Sequence, residues 1–451
     1  MSILIENAAV ITVDGKFNVF DPGAVFIDSG RIVDVGPSAD VTGRHANADR
    51  VIDGRRKIVA PGFVSIHNHV GYTVFRGRAE DVGLRVATGQ YFPMGTVISR
   101  EERCAIGSLT LTELLRGGIT TVLEMEEDAD VFAPFVESLG IRAAMGVMIH
   151  DADVDRMAKG DFAYLPEVGE PLLRQAVEFA ERWNGAADGR ISTMMTPNMT
   201  IGSSPGQLRA MREAADRLGI RLSIHLGWGP AEVDIIGRLH GKSPAEYARE
   251  NGFLDSDVVA AHCYHMDEAS IGLLEESGAH VAHCPLMNSM RGHIAPVLDY
   301  RKRGINVGLG IDNYFADHFD TLRACIGVAR IRAADGEVML APEALELATI
   351  GAARALEKAD EIGSLEPGKR ADIQVIDIRA LGLSPLLDPV RTLVYHGHSH
   401  HVETVLVDGE VVVEGGVPVN ADPLALVDAA QDAADAAWGR FIAKYGGILA
   451  D

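Results

Sequence analysis

Through the middle of the 451-residue chain, apolar segments with strand character alternate with helical segments. The strand segments lie at residues 58–66, 120–124, 142–149, 191–196, 221–225, 258–262, 279–283 and 306–312. Such alternation over about 300 residues predicts an α/β fold, a closed parallel (β/α)8 TIM barrel. An open doubly wound sheet is the alternative, but no Gly-x-Gly-x-x-Gly motif follows the first strand.

Both ends of the chain differ from this middle part because they contain only short apolar runs. Turn signals such as Asp14-Gly15 and Asp408-Gly409 separate those runs, which is the chemistry of β-hairpins. We therefore expect residues 1–59 and 364–420 to form one small β-sandwich domain and residues 60–363 to form the barrel. Residues 421–451 are rich in alanine and are expected to form a C-terminal helical tail.

Several of the predicted barrel strands end in histidine or aspartate. His67 and His69 stand two residues apart at the end of the first strand, so they project to the same side. The later strand-end residues are His225, His262, His283 and Asp312. One such histidine alone is more often a hydrogen-bonded structural residue than a ligand. Because TIM barrels collect their functional groups at the carboxyl ends of the strands, the recurrence predicts a single site.

The residue types at these strand ends predict a metal-dependent hydrolase. His67, His69, His225 and Asp312 offer nitrogen and oxygen ligands that zinc, iron, cobalt and manganese all accept. We expect one divalent ion, zinc, which lowers the pKa of a coordinated water toward about 7. Asp312 is then placed to take the proton of that water and to pass it to the leaving group. His262 is placed to hydrogen-bond the attacked oxygen or the hydroxide.

Composition narrows the partners and the location of the protein. The formal net charge of −23 argues against a nucleic acid, whose phosphates would be repelled. No segment reaches the roughly 18 apolar residues that span a membrane. The four cysteines form no Cys-x-x-Cys pattern, and the first residues lack the features of a signal peptide. We therefore expect a cytoplasmic enzyme that acts on a small molecule and contacts neither nucleic acid nor membrane.

The motifs around these residues resemble the amidohydrolase superfamily, in the branch that contains cytosine, guanine and S-adenosylhomocysteine deaminases and the triazine hydrolases. Those motifs cover nearly the whole chain and comprise Pro61-Gly62-Phe63-Val64, Gly117-Gly118-Ile119-Thr120-Thr121, Ala261-His262-Cys263, Ala282-His283-Cys284-Pro285 with Asn288, Leu309-Gly310-Ile311-Asp312, and residues 363–372. The resemblance implies a TIM barrel with a split β domain. It also implies His262 as the catalytic histidine and the ligand set named above.

Some positions depart from the pattern of that superfamily. Residues 191–196, the fourth strand, lack the lysine that bridges two metal ions in binuclear members, which implies one ion per chain. Trp228 stands three residues after His225, where the deaminases usually carry the glutamate that protonates a ring nitrogen, and an indole only donates weakly. The next acid, Glu232, is expected on a helix rather than at the metal. Asn198 replaces a substrate-binding histidine of many relatives, and it either binds a substrate carbonyl or amide or caps the local turn.

These departures favour attack on an existing carbonyl carbon, because such attack needs no protonated ring nitrogen. We therefore expect hydrolysis of a C–N bond other than a peptide bond in an amide, urea, carbamate or lactam. The alternative is deamination of an amino-heterocycle of purine, pyrimidine, pterin or triazine type, or displacement of another leaving group. A non-catalytic scaffold is a further alternative, but such proteins usually lose metal ligands and this chain keeps all of them.

Side chains near the strand ends are expected to contact a partly apolar substrate. The candidates are Trp228, Asn198, His283, Phe75, Tyr91 and Met287. The histidine-rich run from His396 to His401 is expected to be a solvated loop rather than a second metal site. The helical tail is expected to pack on the barrel or on a neighbouring subunit, and we expect a homo-oligomer, a dimer or larger.

Overall fold

The computed structural model describes residues 1–82, 87–157 and 161–446, which form a barrel and a second sheet, here called the outer sheet. The chain enters through β1 (Ser2–Ile11), β2 (Val19–Asp28), β3 (Arg31–Pro37), β4 (Arg50–Asp53) and β5 (Lys57–Pro61). The barrel strands are β6 (Phe63–Asn68), β7 (Ile119–Glu126), β8 (Arg142–Ile149), β9 (Ile191–Pro197), β10 (Arg221–Leu226), β11 (Val258–His262), β12 (His280–His283) and β13 (Val307–Leu309). The last strands are β14 (Ile373–Asp377), β15 (Val402–Val407), β16 (Glu410–Glu414) and β17 (Val417–Pro418).

Helices follow most of the barrel strands, and one helix follows the last strand. The helices are α1 (Ser38–Arg44), α2 (Phe92–Gly95), α3 (Arg100–Arg116), α4 (Ala129–Leu139), α5 (Val154–Met157), α6 (Pro166–Trp183), α7 (Pro205–Leu218), α8 (Pro230–His240), α9 (Pro244–Glu250), α10 (Glu268–Ser277), α11 (Pro285–Met290), α12 (Val297–Lys302), α13 (His318–Ala333), α14 (Ala341–Leu347), α15 (Ile350–Ala355), α16 (Pro389–His396) and α17 (Pro423–Tyr445). Among the described residues, no helix is both long and apolar enough to cross a membrane.

The barrel is a parallel sheet whose strands stand in sequence order from β6 to β13. It closes where Asn68 bridges to Asp312 in parallel register. At this seam the Asp312 N–H donates to the carbonyl oxygen of His67, and the His69 N–H donates to that of Asp312, both at 2.9 Å. The predicted TIM barrel is confirmed, and the seam of the barrel lies at the predicted metal site.

The outer sheet joins both ends of the chain, as predicted. Its nine strands have the order β17-β16-β15-β14-β5-β1-β2-β3, and β4 pairs with β1. β14 runs antiparallel to β5, with Val375 opposite Val59, and this pairing joins the two halves. The division into residues 1–59 with 364–420, 60–363 and 421–451 stays a prediction.

The single strand predicted at residues 58–66 is two strands in the structure. β5 ends at Pro61 in the outer sheet and β6 begins at Phe63 in the barrel, so the chain changes sheets at Gly62. A Cβ atom at Gly62 would lie 2.2 Å from both Cγ2 and Oγ1 of Thr120, so only glycine lets the chain pass this close to β7. Every residue from 58 to 68 is buried, so hydrophobicity continues across the joint and gives no sign of it.

A buried ion pair links the barrel to the outer sheet. Arg142 on β8 is 1% exposed, and its Nε and Nη2 donate to the Asp372 carboxylate at 3.0 and 3.1 Å. Arg142 Nη2 also donates to Asp408 at 2.5 Å. Because both acids come from the C-terminal part of the chain, this cluster fixes the outer sheet against the base of the barrel.

Of the predicted helical tail at residues 421–451, the structure describes α17, which packs on α3 at the side of the barrel, and residues 447–451 lie outside the described residues. The Trp438 Nε1–H donates to the carbonyl oxygen of Val74 at 2.8 Å, and Arg440 Nε donates to that of Val97 at 3.0 Å. Trp438 and Phe441 also belong to an apolar cluster with Phe75. The tail therefore covers the segment that follows the first barrel strand.

The histidine-rich run comprises His396, the last residue of α16, and the segment between α16 and β15. His398 has Asp317 and Asp320 close enough for the three to hold a metal ion. Arg323 already occupies the position between them, because its Nη2 donates to His398 Nδ1 at 3.2 Å and to the Asp320 carboxylate at 2.5 Å. A cationic side chain therefore takes the place that a second metal would need.

Candidate active site

Side chains from four strand ends meet at the carboxyl end of the barrel. They are His67 and His69 at the end of β6, His225 on β10, His262 at the end of β11, and Asp312 after β13. Each is 9% exposed or less. The possible ligand atoms of His67, His69 and His225 lie within 4.8 Å of one another, and so do those of His67, His262 and Asp312. The structure thus brings together the residues that the sequence singles out as ligands and acid–base groups.

Hydrogen bonds behind His69 and His225 determine which ring nitrogens face the site. His69 Nδ1 donates to the carbonyl oxygen of Met125 at 2.7 Å, and His225 Nδ1 donates to that of Asn198. Each Nε2 therefore carries a lone pair, and the two Nε2 atoms face each other at 3.1 Å. Burial lowers the pKa of both rings, that of His69 to about 3, so neither ring takes up a proton at neutral pH. Opposed lone pairs at this distance fit a cation held between them.

The surroundings of His67 also indicate a bound cation. Its ring is fully buried, and neither ring nitrogen has a hydrogen-bond partner among the described residues. Its Nε2 lies 3.6 Å from Asp312 Oδ1. A buried imidazole without partners costs free energy, and coordination of a divalent ion would offset that cost. The nitrogen and oxygen donors present here fit such an ion.

Asp312 and His262 reach the site through left-handed backbone conformations, with φ of 78° and 72°. Such values cost a non-glycine residue on the order of 1 kcal/mol or more, and they recur at functional sites. Burial alone would raise the pKa of Asp312, but His262, His67 and Arg291 hold it below its ordinary value. Asp312 is therefore ionised at neutral pH.

The Asp312 carboxylate and the His262 imidazole face each other. His262 Nε2 lies 4.0 Å from Asp312 Oδ2, which has no hydrogen-bond partner among the described residues. On the other side of the ring, His262 Nδ1 donates to Asn288 Oδ1 at 3.1 Å. Burial lowers the pKa of His262, so the ring is neutral and presents its Nε2 lone pair to the cavity. The pair can exchange a proton through a bound water or substrate.

These groups form the floor of a cavity of about 390 Å³, a size typical of small-molecule sites. Its mostly aromatic and apolar walls include Tyr72, Tyr91, Phe92, Met148, Phe162, Met199, Ile201, Trp228, Ile235 and Tyr264. Among the described residues that line it, Asp312 is the only carboxylate. The cavity therefore suits a planar, partly apolar molecule whose reacting carbon lies near Asp312.

The predicted substrate contacts divide into two groups. Asn198, Trp228 and Tyr91 line the cavity. Phe75 is not among the lining residues, and it packs on Tyr91 and Trp438 with ring centroids 4.7 and 6.0 Å apart.

His283 and Met287 are also not among the lining residues, and each is 1% exposed. His283 follows Ala282, whose side chain belongs to a cluster inside the barrel, so strand alternation turns the imidazole away from the interior. Neither ring nitrogen of His283 has a partner among the described residues. The structure therefore gives these two residues a place behind the cavity wall.

Glu232 lies in the first turn of α8, as expected, and is fully buried. Its carboxylate accepts hydrogen bonds from Thr200 Oγ1 at 2.6 Å and from the Trp228 N–H at 2.8 Å. Burial raises its pKa to about 7, although these hydrogen bonds lower it. Glu232 does not line the cavity, so it fixes the loop that carries Trp228 and does not touch the reacting atoms.

Arg291 was not predicted from the sequence, yet it lines the cavity beside Asp312. Its Nη1 lies 3.8 Å from Asp312 Oδ2, and its Nη2 donates to the Tyr91 hydroxyl at 3.2 Å. Asn313 lies between the two charged groups: with its amide oriented to suit them, it accepts from Arg291 Nη2 at 2.8 Å and donates to Asp312 Oδ1 at 3.2 Å. No motif marks Arg291, because it reaches the site from the end of the short helix α11.

Comparisons with known proteins agree with this site. A model of the Amidohydrolase family matches residues 58–412. A 5-methylthioadenosine/S-adenosylhomocysteine deaminase of Desulforudis audaxviator is 34% identical over 421 residues, which cover 92% of this chain and 94% of that protein. A 5'-deoxyadenosine deaminase of Methanosarcina acetivorans is 30% identical over 439 residues, which cover 96% of this chain and 98% of that protein. An adenosine deaminase from Xanthomonas campestris, solved with bound zinc, matches with a TM-score of 0.90 and 29% identity, covering 97% of this chain and 98% of that one.

These findings confirm the resemblance inferred from the motifs. They make the protein a hydrolase that acts on C–N bonds other than peptide bonds. They also favour the deaminase alternative over hydrolysis at a carbonyl carbon, because the relatives are deaminases. By its sequence and by its fold, the chain belongs to the amidohydrolase family.

Proposed function

We propose that the protein is a metal-dependent aminohydrolase that releases ammonia from an amino-substituted heterocycle, such as the base of a nucleoside. One observation carries the proposal. His69, His225, His262 and Asp312 line the floor of an aromatic cavity, in a chain that aligns over 92% of its length with a deaminase. A cavity of about 390 Å³ holds a nucleobase with part of its substituent.

We also propose one zinc ion per chain. The donor set of three histidines and one aspartate supports zinc, and the zinc in the Xanthomonas campestris deaminase agrees with it. β9 contains no lysine that could bridge a second ion, which supports a count of one. A cytoplasmic location and a homo-oligomeric state remain proposals from the sequence, and analytical ultracentrifugation of the purified protein would measure the latter.

The proposed chemistry uses groups already described. His67, His69, His225 and Asp312 would hold the ion, which supplies Lewis acidity for the attack of water. Ionised Asp312 accepts a proton from the water as the C–O bond forms and delivers it to the amine as the C–N bond breaks, so ammonia leaves. His262 Nε2, which lies 4.0 Å from Asp312 Oδ2, presents a lone pair that can accept a hydrogen bond from the attacking water and so orient that water toward the ring carbon.

Aromatic side chains would orient the ring. Trp228, Tyr91 and Tyr264 line the cavity above Asp312, and such walls exclude water and pack against a planar substrate. Asn198 can donate to and accept from a substituent of the ring through its side chain. The backbone carbonyl oxygen of Asn198 already accepts a hydrogen bond from His225 Nδ1.

The experiment is an ammonia-release screen of aminopurines, aminopyrimidines, aminopterins, aminotriazines and adenosine-type nucleosides with the zinc-loaded protein. We expect ammonia from at least one class, loss of that activity on chelation, and recovery on adding zinc. His262→Asn is the matched control: it should retain the ion but release ammonia ~10²-fold more slowly or worse, so that loss of activity is not due to loss of metal. Absence of ammonia from every class, with zinc present at one equivalent, would refute the proposal.

Hydrolysis at a carbonyl carbon is the second candidate, and a specific observation favours it. Trp228 stands where a proton donor for a ring nitrogen is expected, and among the described lining residues no carboxylate other than Asp312 is available. An amide, urea or carbamate needs no such donor. The same screen, extended to these compounds with amine release measured separately, distinguishes the candidates.

Replacement of Trp228 gives an independent comparison of the two candidates. Trp228→Phe should raise KM and preserve much of kcat in either case, because the ring serves as a wall. Trp228→Glu would bury a carboxylate among apolar groups and should harm the native reaction. A gain of ammonia release by Trp228→Glu, together with amine release from ureas or amides by the wild type, would select the second candidate.

A further inference from the structure

Arg291 places a positive charge inside the cavity. Its side chain is 17% exposed, and it extends from the end of α11 to the floor of the cavity beside Asp312. The other arginine of the lining, Arg238, is 62% exposed and forms an ion pair with Asp234 at 3.1 Å on the outer surface of α8. Arg291 is therefore the charged group that a bound molecule meets beside the reacting atoms.

The charge of Arg291 is poorly compensated within the described part of the chain. Asp312 is the only acid within 4.0 Å of its guanidinium, and at 3.8 Å the contact is too long for a hydrogen bond. Asp312 is also the carboxylate proposed to hold the metal ion, so its negative charge is shared with a divalent cation. With the ion bound, positive charge would exceed negative charge around the floor of the cavity.

Hydrogen bonds hold the guanidinium of Arg291 at one nitrogen and leave its other N–H groups able to bind a ligand. Its Nη2 is fixed by the Tyr91 hydroxyl and by the Asn313 amide, at 3.2 and 2.8 Å. Its Nη1 and Nε make no hydrogen bond to any described residue. A planar guanidinium that is held at one nitrogen and open at another can bind an oxygen with little further loss of conformational freedom.

We propose that Arg291 is a specificity-determining residue that binds an oxygen of the substrate, and that the substrate ring carries an oxo or carboxylate oxygen close to the carbon that loses its amine. This deepens the proposed function and rests on it for the identity of the reaction. A neutral aminated ring without such an oxygen would leave the open donors of Arg291 facing apolar surface, which costs binding free energy. An oxygen with negative charge would form a charge-assisted hydrogen bond instead.

The test measures binding separately from turnover. Pyrimidine, pyrimidin-2-one and pyrimidine-2-carboxylate have no amine to lose, so their dissociation constants can be measured by calorimetry on the zinc-loaded protein. We expect the wild type to prefer at least one oxygen-bearing ring over pyrimidine by about tenfold or more, as a charge-assisted hydrogen bond implies. The ring that is preferred distinguishes an oxo group from a carboxylate. Arg291→Met should abolish the preference, and Arg291→Lys should retain part of it.

Arg301→Met is the matched control. Arg301 is 27% exposed and pairs with Glu343 at 2.7 Å outside the cavity, so this variant should keep the wild-type preference. The inference is overturned if the wild type shows no preference, or if Arg291→Met keeps it with the metal content unchanged. Comparison of cytosine with 4-aminopyrimidine in the ammonia assay separates the two proposals. Ammonia from both at equal kcat/KM supports the aminohydrolase and refutes the role of Arg291. A binding preference in a zinc-loaded protein that releases ammonia from no class of the screen supports Arg291 and refutes the aminohydrolase.

Discussion

Replacing Glu232 by glutamine is expected to make the protein more stable at pH 8 and to leave its stability almost unchanged at pH 4. Glu232 is fully buried, and Thr200 Oγ1 and the Trp228 N–H both donate to its carboxylate. A glutamine can preserve both contacts, since its carbonyl oxygen can accept from Trp228 and its amide can donate to Thr200. The variant therefore removes a titratable charge with little change in packing.

The magnitude follows from the difference between the pKa values of Glu232 in the unfolded and folded states. Burial raises the pKa of Glu232 from its ordinary value of 4.5 to about 7. Between these values the folded protein keeps a proton that the unfolded chain has released, so the free energy of unfolding falls as the pH rises. At about 1.4 kcal/mol for each pKa unit, this group lowers the stability of the wild type by about 3 kcal/mol at pH 8. The effect is absent below pH 4, where both states are protonated.

Thermal denaturation of the metal-free wild type and Glu232→Gln at a series of pH values measures the effect without interference from metal loss. The difference in melting temperature should grow from near zero at pH 4 and level off above pH 7. Glu246→Gln is the control, because hydrogen bonds from Ser243 lower the pKa of that exposed carboxyl, so any effect has the opposite sign. A Glu232→Gln variant that is less stable than the wild type at pH 8 would refute the reasoning.

Other predictions concern the ion, the acid–base pair and the joint between the sheets. His225→Ala should lose both activity and stoichiometric metal in elemental analysis, and two ions per wild-type chain would contradict the single-ion site. Asp312→Ala should stay inactive with excess metal because a ligand and a proton carrier are lost together, whereas His262→Asn should keep its metal and lose ~10²-fold or more in kcat. Normal turnover by His262→Asn would show that its role is misassigned. Arg142→Met should lower the free energy of unfolding by about 3–5 kcal/mol, since it leaves Asp372 buried without its partner, and an unchanged urea midpoint would exclude that.

The sequence predicts the barrel and the grouping of its strand ends because both depend on local patterns. Alternating apolar segments define the strands, and His225 and Asp312 fall at their carboxyl ends. The change of sheets at Gly62 is not predictable in this way, because residues on both sides are buried and the period of hydrophobicity does not change. Arg291 is missed for a different reason: it comes from a helix end, and only the three-dimensional fold brings it to Asp312.

His262 and His283 show what strand alternation alone leaves open. Each follows an alanine whose side chain lies inside the barrel, so alternation assigns both histidines to the same face. His262 departs from it through a positive φ of 72° and enters the cavity, whereas His283 is not among the residues with positive φ and does not line the cavity. The backbone conformation of one residue, which no local pattern specifies, therefore separates a histidine that lines the cavity from one that does not.

The seam that closes the barrel between Asn68 and Asp312 constrains the order of events during synthesis. Residues 67 and 312 must both have left the ribosome before the seam can form, and the strand pairing between β5 and β14 must wait until residue 377. Until then β5 and β6 each lack one of their two partner strands, and an apolar strand with an unpaired edge favours aggregation and chaperone binding. The nascent chain can therefore acquire its complete set of predicted metal ligands only after about two-thirds of it has been made. A metal ion that arrives after the seam has closed must therefore reach these residues through the cavity.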